Sequence, residues 1–439
     1  MKETALSIVK KIENHGYSAY LVGGAVRDEL LSRTVNDYDI ATDASPQTVM
    51  QIFSDERVVE TGIKHGTVTV IIDHIPYEVT TFRTDGVYND GRHPESVEFV
   101  SSLKIDLERR DFTINALAFN PKTGIVDYFG GVDDAKNKII RAVGDPVKRF
   151  NEDALRILRA IRLSAVLGFD IEKNTLNAMK FCAKNLDFVS KERVFDELTK
   201  LVCAKYVAHA LYECKDVIFQ VLPELVQIDG FMQQSLSHDY DVFNHTLKAL
   251  EISKVRTPTV MWTLLLHDVA KPLCFTVDKK GYGHTKGHPE ISSQIALEIA
   301  KRLKFPTKLK DDVVNLLKMH DADVSTTKYH VKRFLDEYGK DFAYNLLNVK
   351  IADMLAHSDY GIRKYKLEKV NLREYLHEII SNGECYDFQG LNIDGSDLIQ
   401  LGFNGVKLGQ VKAEILDLVM RDELKNEKQI LVNYAKTLL

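Results

Sequence analysis

Cysteine is scarce in this sequence, and the few cysteines that it has form no pattern. Among 439 residues, cysteine occupies only positions 182, 203, 214, 274 and 385, with no CxxC pair and no even framework. Proteins that depend on disulfides carry cysteines in such frameworks, whereas cytoplasmic proteins keep scattered thiols reduced. The pattern therefore predicts reduced thiols and a cytoplasmic location.

Long hydrophobic runs are missing as well. No stretch approaches the roughly 18 consecutive apolar residues that a transmembrane helix needs. The opening segment, MKETALSIVKKIENHGY, mixes acids and lysines with apolar residues at helical spacing. It predicts an amphipathic helix over residues 1–16 rather than a signal peptide. We therefore expect no membrane partner.

Charge of one sign is not in large excess either. The net charge of −5 argues mildly against a nucleic-acid partner. Residues 141–205, however, hold 13 Lys and Arg against 9 Asp and Glu, so a local path for RNA remains compatible with an acidic whole. The length predicts two to four domains, and the sequence carries no signal for an oligomeric state.

Strand-like and helix-like patterns occupy different parts of the chain. Between residues 21 and 128, runs such as VTVII (68–72) and YEVTTF (77–82) predict strands, and IVDYFGG (125–131) predicts a last strand. Beyond about residue 145, helical periodicity dominates to the end. The expected fold class is α+β and multidomain, with a mixed-sheet head followed by helical domains.

Residues 21–42, LVGGAVRDELLSRTVNDYDIAT, carry the most information about chemistry. Gly23 and Gly24 allow backbone N–H groups to approach a phosphate, and Arg27 follows on a predicted helix start. Asp37 and Asp39, at i and i+2 on a predicted strand, would point to one face, where a hard cation such as Mg²⁺ would offset their repulsion. A phosphate site beside metal-binding acids indicates nucleotidyl transfer.

This segment resembles a known family signature. The combination GGxVRD…DxDxAT is similar to that of the polymerase-beta-like nucleotidyltransferases, and within them to the class II CCA-adding tRNA nucleotidyltransferases and related poly(A) polymerases. Residues 109–116, RRDFTINA, match a second family element. The resemblance implies that this element contacts the ribose and triphosphate of the nucleotide, through Arg109, Arg110, Asp111 and Asn115. Arginine forks bind phosphate, and a carboxylate accepts from ribose hydroxyls.

A third match, EDALRILRAIR at residues 152–162, resembles the family's EDxxR base-recognition motif. If the segment is one helix, Asp153 and Arg156 share a face at i and i+3, and a plain intrahelical salt bridge is the alternative. The resemblance implies that these two side chains read the Watson–Crick edges of cytosine and adenine, so that protein replaces a nucleic-acid template. Arg159 and Arg162, further along the same segment, are assigned to nucleotide binding.

Two other parts of the head bear on the reaction. Glu78 is a candidate third metal-facing acid on a neighbouring strand, and a surface carboxylate is an equally good interpretation. Residues 83–94, RTDGVYNDGRHP, are rich in Gly, Asn and Asp and predict a loop. They resemble the flexible loop that CCA-adding and A-adding enzymes possess and that CC-adding enzymes lack.

The helical half holds a second candidate metal site. An HD dyad ends the apolar segment MWTLLLHD, which is unusual because a buried polar pair requires a partner. The pattern resembles the HD phosphohydrolase superfamily, which implies one or two divalent metals, a transition metal being favoured by the imidazoles, and a metal-bound water that attacks a phosphoester. A degenerate, purely structural HD domain is the alternative. The implied ligands are His245, His267, Asp268, His288, His320 and Asp353.

The resemblance implies an organisation and a function for the whole chain. The expected domains are a nucleotidyltransferase head (1–142), a helical neck and body (143–232), an HD domain (233–375) and a helical tail that contacts tRNA (376–439). The expected activity is addition or repair of the 3′-terminal CCA of tRNA from CTP and ATP, with Mg²⁺ at the head. An A-adding-only enzyme or a poly(A) polymerase is one alternative. An HD phosphodiesterase with an RNA-binding head is another.

Overall fold

Strands and helices are unequally divided along the chain. The computed structural model describes residues 1–85 and 97–439, and it separates into two units, Met1–Pro223 and Glu224–Leu439. The large sheet lies in the first unit, and the second unit is mostly helical. This is the α+β class that the sequence predicts. The four domain limits within the two units stay a prediction.

A mixed sheet forms the centre of the first unit. Among the described residues its strand order is β3-β4-β5-β2-β1-β8-β9, with β2 and β5 parallel and the other neighbours antiparallel. The strands are β1 (Ala19–Val22), β2 (Asp39–Thr42), β3 (Arg57–Gly62), β4 (Thr67–Ile72), β5 (Ile75–Thr81), β6 (Arg83–Asp85), β7 (Val97–Phe99), β8 (Leu117–Asn120), β9 (Gly124–Asp127), β10 (Ile139–Ile140), β11 (Asp170–Ile171), β12 (Thr276–Val277) and β13 (Gly283–His284).

Local sequence explains why this sheet forms. The β-branched run of β4 suits a pleated strand, and β4 turns into β5 through Asp73 and His74, which both have positive φ as a tight hairpin turn requires. The parallel pairing of β2 with β5 sets Ile40 opposite Val79. This register brings the start of β2 alongside Glu78, on which the head site depends.

Helices of the first unit pack against the sheet and continue beyond it. Ile8 and Ile12 of the first helix are fully buried in a core that also contains Phe53, Val70 and Tyr77. The helices are α1 (Lys2–Asn14), α2 (Gly24–Leu30), α3 (Pro46–Ile52), α4 (Leu103–Glu108), α5 (Gly131–Lys136), α6 (Pro146–Glu152), α7 (Leu155–Leu167), α8 (Lys173–Cys182), α9 (Lys191–Val202), α10 (Val207–Glu213) and α11 (Lys215–Val221).

Helices dominate the second unit. Its most buried helix, α13, is apolar on all sides, because Trp262 and its neighbours are shielded from solvent. None of the helices in the described ranges is long and apolar enough to cross a membrane. The helices are α12 (Val242–Ile252), α13 (Pro258–Leu266), α14 (His288–Arg302), α15 (Thr307–Met319), α16 (Lys328–Ala356, kinked at Gly339), α17 (Asp359–Ser381), α18 (Gly395–Gln400), α19 (Gly405–Met420) and α20 (Lys428–Lys436).

Two expectations about the helical half need adjustment. The neck was expected to be entirely helical, yet β11 pairs with β10 of the head as a short parallel bridge. The run DKKGYGHTKGH at residues 278–288 predicts a long loop, yet it contains β13, whose two residues pair with those of β12. Both pairs are too short to leave a period-2 hydrophobic pattern in the sequence.

Candidate active sites

A cleft of about 870 Å³ opens in the first unit beside β2 and β5. Its walls are strongly charged: the described lining residues include eight arginines and five acids. All the residues of the first unit that the sequence assigns to metal or nucleotide binding line it, namely Gly23, Gly24, Arg27, Asp37, Asp39, Glu78, Arg109, Arg110, Asp111, Asn115, Asp153, Arg156, Arg159 and Arg162. The structure therefore brings three separate sequence motifs together around one space.

The three acids of the cleft lie on adjacent strands. Asp39 begins β2, while Asp37 precedes it, so only one of the two acids lies on the strand itself. Tyr38 between them is buried, and its hydroxyl donates to Glu29 at 2.8 Å, so both acids still face the open cleft. Glu78 is exposed between two buried residues of β5. Both side chains therefore face the cleft, as their i and i+2 spacing predicts, although Asp37 lies before the first residue of β2.

Charge in this part of the cleft is unbalanced. Enclosure by the cleft walls, together with the carboxylates of Asp37 and Glu78, raises the pKa of Asp39 to about 6. A divalent cation between these oxygens would remove that repulsion. The acids are nevertheless spread more widely than a closed metal site, since the described ligand groups with atoms within 4.8 Å of one another both lie in the second unit. The residues fit an open site for a divalent ion, in which oxygens of the substrate would supply the remaining ligands.

The glycine pair leaves room for a phosphate and an arginine. Gly23 has a φ of 74°, and a Cβ there would lie 2.9 Å from Nη1 of Arg110. Helix α2 begins at Gly24, so its first N–H groups face the cleft side. Arg27, one turn later, is buried and forms an ion pair with Asp28 at 2.8 Å.

A chain of hydrogen bonds links Arg27 to the neck. Its guanidinium donates to Oδ1 of Asn115 at 2.5 Å, and Asn115 donates to Asp111 at 3.0 Å. Arg159 completes the chain through an ion pair with Asp111 at 2.7 Å. Burial alone would raise the pKa of Asp111, but Arg159 and Asn115 lower it to about 2. This acid is therefore ionised and fixed in position.

Asp106 supports the arginine pair and was not found from the sequence. It is fully buried on α4, and its carboxylate lies 2.6 Å from Arg109 and 3.4 Å from Arg110. Its burial opposes ionisation, yet the two arginines hold its pKa below the usual value. The spacing of i, i+3 and i+4 on a helix was the available signal, although such spacing occurs on many solvated helices.

The base-recognition segment is not one helix, which corrects the expectation for Asp153 and Arg156. Helix α6 ends at Glu152, Asp153 is extended (φ −143°, ψ 103°), and α7 begins at Leu155. The Asp153 side chain accepts from the backbone N–H of Leu155 at 3.0 Å, as short acids do at helix starts. The alternative of a salt bridge between Asp153 and Arg156 is therefore absent from these described residues.

Other partners hold the two side chains. Arg156 forms an ion pair with Glu152 at 2.8 Å, and Asp153 forms one with Arg193 at 3.0 Å. Arg193 lies in the first turn of α9 and lines the cleft, and it is not among the site residues assigned from the sequence. Arg162 of α7 forms an ion pair at 2.6 Å with Glu197, which also lies on α9. Two residues of α9 therefore hold cleft side chains in position: Arg193 holds Asp153, and Glu197 holds Arg162.

Further lining residues come from the sheet edge. The cleft also includes Gly62, His65, Thr67 and Arg83, none of which the sequence assigned to the site. The guanidinium of Arg83 donates to the carbonyl of His65. Residues 83–94 were expected to form a loop, but residues 83–85 form strand β6, which pairs with β7, and residues 86–94 lie outside the described ranges.

The second site is a buried cluster of histidines and acids in the second unit. The six ligands implied by the sequence come together from α12, α14, α16 and the C-terminal ends of α13 and α15. They form two overlapping groups that share Asp268, one with His245, His267 and Asp353, and one with His288 and His320. Within each group the ligand atoms lie within 4.8 Å of one another.

Each histidine of the cluster is oriented in the same way. Nδ1 lies 2.6–3.2 Å from a backbone carbonyl, so it carries the proton and donates, which leaves Nε2 as the atom that faces the cluster. The pairs are His245 with Ala356, His267 with Leu264, His288 with Thr285, and His320 with Leu317. A ring held this way presents a lone pair to a metal ion, so the donor set fits a metal centre.

The electrostatics of the cluster agree with that fit. Burial would lower the pKa of His267, but Asp268 and Asp353 raise it to about 10. The same histidine lies 3.2 Å from Asp268, and the pKa of that acid falls well below its usual value despite burial. Burial and the neighbouring histidines lower the pKa of His320 to about 4. The two carboxylates thus hold His267 in its charged form, whereas His320 is neutral. A divalent ion between the same carboxylates would take over the role of that positive charge.

Three side chains beside the cluster were missed from the sequence. The rings of His238 and His357 lie 4.4 Å apart, and His357 is 5.0 Å from His245. Lys271 is buried, with Nζ 2.6 Å from Asp268. Its position three residues after the HD dyad was the one available signal, and a lysine on a helix end is usually solvated.

Comparisons with known proteins give a consistent result. Residues 19–141 match the Poly A polymerase head domain, and residues 168–227 match the probable RNA and SrmB-binding site of polymerase A. The CCA-adding enzyme of Streptococcus agalactiae serotype V is 36% identical over 446 residues, covering 100% of this chain and 97% of the relative.

Solved structures agree with the sequence relatives. The Bacillus stearothermophilus CCA-adding enzyme in complex with CTP is 29% identical, with a TM-score of 0.72 over 99% of this chain and 96% of that one. The Thermotoga maritima CCA-adding enzyme complexed with tRNA, at 22% identity, has a TM-score of 0.60 over 100% of this chain and 95% of that one, which shows a shared fold.

Proposed function

This chain belongs to the family of CCA-adding enzymes, and from that premise we propose how its two sites work. It is a tRNA nucleotidyltransferase that adds CCA to the 3′ end of tRNA from CTP and ATP without a nucleic-acid template. Such transfer uses a divalent metal. The observation that carries the account is the single cleft that unites the acids, the arginines and the EDxxR residues.

We assign the metal of the head to Mg²⁺, held by Asp37 and Asp39 with Glu78 as the third acid. When bound, Mg²⁺ activates the 3′-hydroxyl of the tRNA and neutralises the departing pyrophosphate. The raised pKa of Asp39 supports this assignment, because enclosure in the cleft and the nearby carboxylates of Asp37 and Glu78 both disfavour its ionised form, and a bound cation would offset both effects. The acids are spread out, so nucleotide phosphate oxygens would complete the coordination.

The arginines and glycines hold the nucleotide. Arg109 and Arg110 present guanidinium groups fixed by Asp106, and guanidinium forks bind phosphate in a defined geometry. Gly23 leaves the space that Arg110 occupies. Arg27, Asn115, Asp111 and Arg159 form a hydrogen-bonded wall that keeps the ribose end of the cleft rigid.

Base selection falls to Asp153 and Arg156. Cytosine and adenine each offer an exocyclic amine that donates and a ring nitrogen that accepts, so one carboxylate and one guanidinium suit both. Arg193 holds Asp153, and Glu152 holds Arg156, which fixes both side chains before a base arrives. The two partners make the pair a preformed template rather than a mutual salt bridge.

The test is nucleotide addition to tRNA that lacks its last one, two or three residues, with labelled CTP or ATP. Asp39→Ala is compared with Asp55→Ala, which removes an exposed carboxylate of the same unit that pairs with Lys11. The account expects loss of addition only in the first variant. Near wild-type addition by Asp39→Ala contradicts the active-site assignment.

We further propose that the second unit is a metal-dependent phosphohydrolase. The common orientation of the four histidines supports a centre of one or two divalent transition metals, because each ring presents Nε2 to the cluster. Such a metal supplies an activated water for attack on a phosphoester. The test is hydrolysis of a model phosphodiester in Ni²⁺, Co²⁺, Mn²⁺ or Mg²⁺. Equal rates for wild type and His267→Ala would make the cluster structural.

The remaining assignments follow the family premise. We propose the domain limits 1–142, 143–232, 233–375 and 376–439, with tRNA contacted by the neck and by the tail. The match of residues 168–227 to an RNA-binding region supports the first of these contacts. We place the enzyme in the cytoplasm, where tRNA substrates are matured.

A further inference from the structure

Lys271 is a buried cation in direct contact with a proposed metal ligand. Only 6% of the residue is exposed, and its Nζ lies 2.6 Å from Oδ2 of Asp268. The same Asp268 oxygen lies 3.2 Å from Nε2 of His267, inside the ligand cluster. Asp268 belongs to both ligand groups, so the lysine contacts the one ligand that the two groups share. It contacts Oδ2, on the side of His267, while Oδ1 of the same carboxylate lies 3.4 Å from Nε2 of His288.

Gln233 holds the ammonium in this position. Its Oε1 lies 2.7 Å from Nζ of Lys271, and the residue is 4% exposed. Its Nε2 has no hydrogen-bond partner among residues 1–85 and 97–439. An unpaired buried amide donor is unfavourable, so the orientation of this amide is set by the contact with the ammonium. The lysine is therefore held by a dedicated contact.

We propose that Lys271 is a resident counter-cation that competes with divalent metal for Asp268. In the metal-free protein its ammonium neutralises this buried carboxylate, and a metal ion must displace it to bind. The proposal rests on the metal centre proposed above, and it adds what sets the affinity of that centre. Lys271 acts on the metal through Asp268 and is a positioning residue.

Displacement of one lysine costs the same free energy whichever ion arrives. The cost therefore weakens all divalent ions by one common factor and leaves their order unchanged. A site rich in imidazole binds transition metals more tightly than Mg²⁺. A uniform penalty consequently keeps the tight binders and excludes the weak ones, so a cellular excess of Mg²⁺ does not fill the site.

Metal affinity, measured by calorimetry with Ni²⁺ and with Mn²⁺, tests this. All proteins carry Asp37→Asn and Asp39→Asn, so that the head contributes no metal site, and adding His267→Ala identifies the signal of the cluster. Lys271→Met and Lys271→Gln are compared with Lys271→Arg, which keeps the charge. Lys364→Met is the matched control, because that ammonium lies 4.8 Å over the ring of Tyr365 rather than on a ligand carboxylate.

We expect Lys271→Met and Lys271→Gln to bind both ions at least about tenfold more tightly, by the same factor for each ion. Lys271→Arg and Lys364→Met should bind like the parent. Thermal unfolding gives a second readout. Without metal, Lys271→Met should unfold at a lower temperature than the parent, since Asp268 loses its counter-charge. Added metal should raise the unfolding temperature of Lys271→Met by more than it raises that of the parent.

Two results overturn the proposal in distinguishable ways. If the parent binds metal and both neutral variants bind it with equal or lower affinity, Lys271 does not compete and the metal centre stands. If neither the parent nor any variant binds metal, the metal centre itself is wrong and the role of Lys271 falls with it.

Discussion

The two sites of this chain handle negative charge in opposite ways. In the head cleft, Asp37, Asp39 and Glu78 line an open space, and enclosure by the cleft walls together with the charges of Asp37 and Glu78 raises the pKa of Asp39. In the second unit, Asp268 is buried, surrounded by imidazoles and paired with Lys271. An open set of acids suits a hard ion that arrives with a triphosphate, whereas a closed imidazole set suits an ion bound by protein alone.

The cations differ as well. Eight arginines line the head cleft, and several are held by acids behind them, such as Asp106 and Glu197, so their guanidinium groups are fixed before the nucleotide arrives. The second site has one lysine in contact with its shared ligand. The difference suits the two proposed roles, in which the head binds a polyanion and the second unit binds a cation. If the two roles are separate, a change at one site should leave the other site unaffected.

Removal of a head acid should have the largest effect. Asp37→Ala and Asp39→Ala should lower the rate of CTP incorporation roughly a thousandfold or more, about 4 kcal/mol of barrier, because the metal loses its ligands. Metal binding at the second site should be unchanged. Rates of single-nucleotide addition and calorimetric metal binding are measured on the same preparations, and coupled losses would contradict the separation.

Removal of the histidine cluster should have the converse effect. His267→Ala with Asp268→Ala should abolish transition-metal binding in the second unit, because both ligand groups lose a member. Addition of CCA in Mg²⁺ should stay within about twofold of wild type, with circular dichroism as the check on folding. A matching fall in CCA addition would mean that the two sites depend on each other.

Selectivity should change without a comparable loss of affinity when the base-reading pair is altered. Asp153→Ala and Arg156→Ala should raise incorporation of UTP and GTP relative to CTP and ATP by about tenfold, since a lost directional hydrogen-bond pair is worth about 1–3 kcal/mol. Arg193→Ala should cause a smaller rise in UTP and GTP incorporation, because Arg193 acts only by holding Asp153. Unchanged selectivity with a collapse in nucleotide affinity would show that these side chains bind phosphate.

The pH dependence of addition should shift modestly when Glu78 is neutralised. Metal binding needs ionised Asp39, whose pKa is about 6, so activity should fall as the pH drops below that value. Glu78→Gln removes one repelling charge and should move this acid limb to lower pH, whatever its effect on the maximal rate. Asp55→Asn is the control. If the acid limb of the pH profile stays in place or moves to higher pH in Glu78→Gln, Glu78 is not part of the metal site.

Much of this arrangement was predictable because the residues that carry the chemistry lie in short motifs. The glycine pair, the two aspartates, RRDFTINA and the HD dyad each sit within a few positions, and local spacing indicated their roles. Asp106, Arg193 and Lys271 were not predictable in the same way. Arg193 supports Asp153 from a distant part of the chain, whereas Asp106 and Lys271 contact residues three or four positions away, and only their burial distinguishes these contacts from ordinary solvated pairs.

The error at Asp153 has a local cause. The segment 152–162 was interpreted as one helix, yet an aspartate often caps the start of a new helix. The side chain accepts from the N–H of Leu155, and the helix is interrupted there. Helical spacing alone does not reveal such a break of one or two residues between α6 and α7.

Product sizing on a tRNA that lacks all three terminal nucleotides tests the central claim most directly. The account predicts that wild-type enzyme in Mg²⁺ adds two residues with CTP alone, adds three with CTP and ATP together, and then stops. It predicts the same ladder for His267→Ala. Addition of adenosine only, or extension into a long adenosine tail, would contradict the assignment of the head cleft as a CCA-adding site.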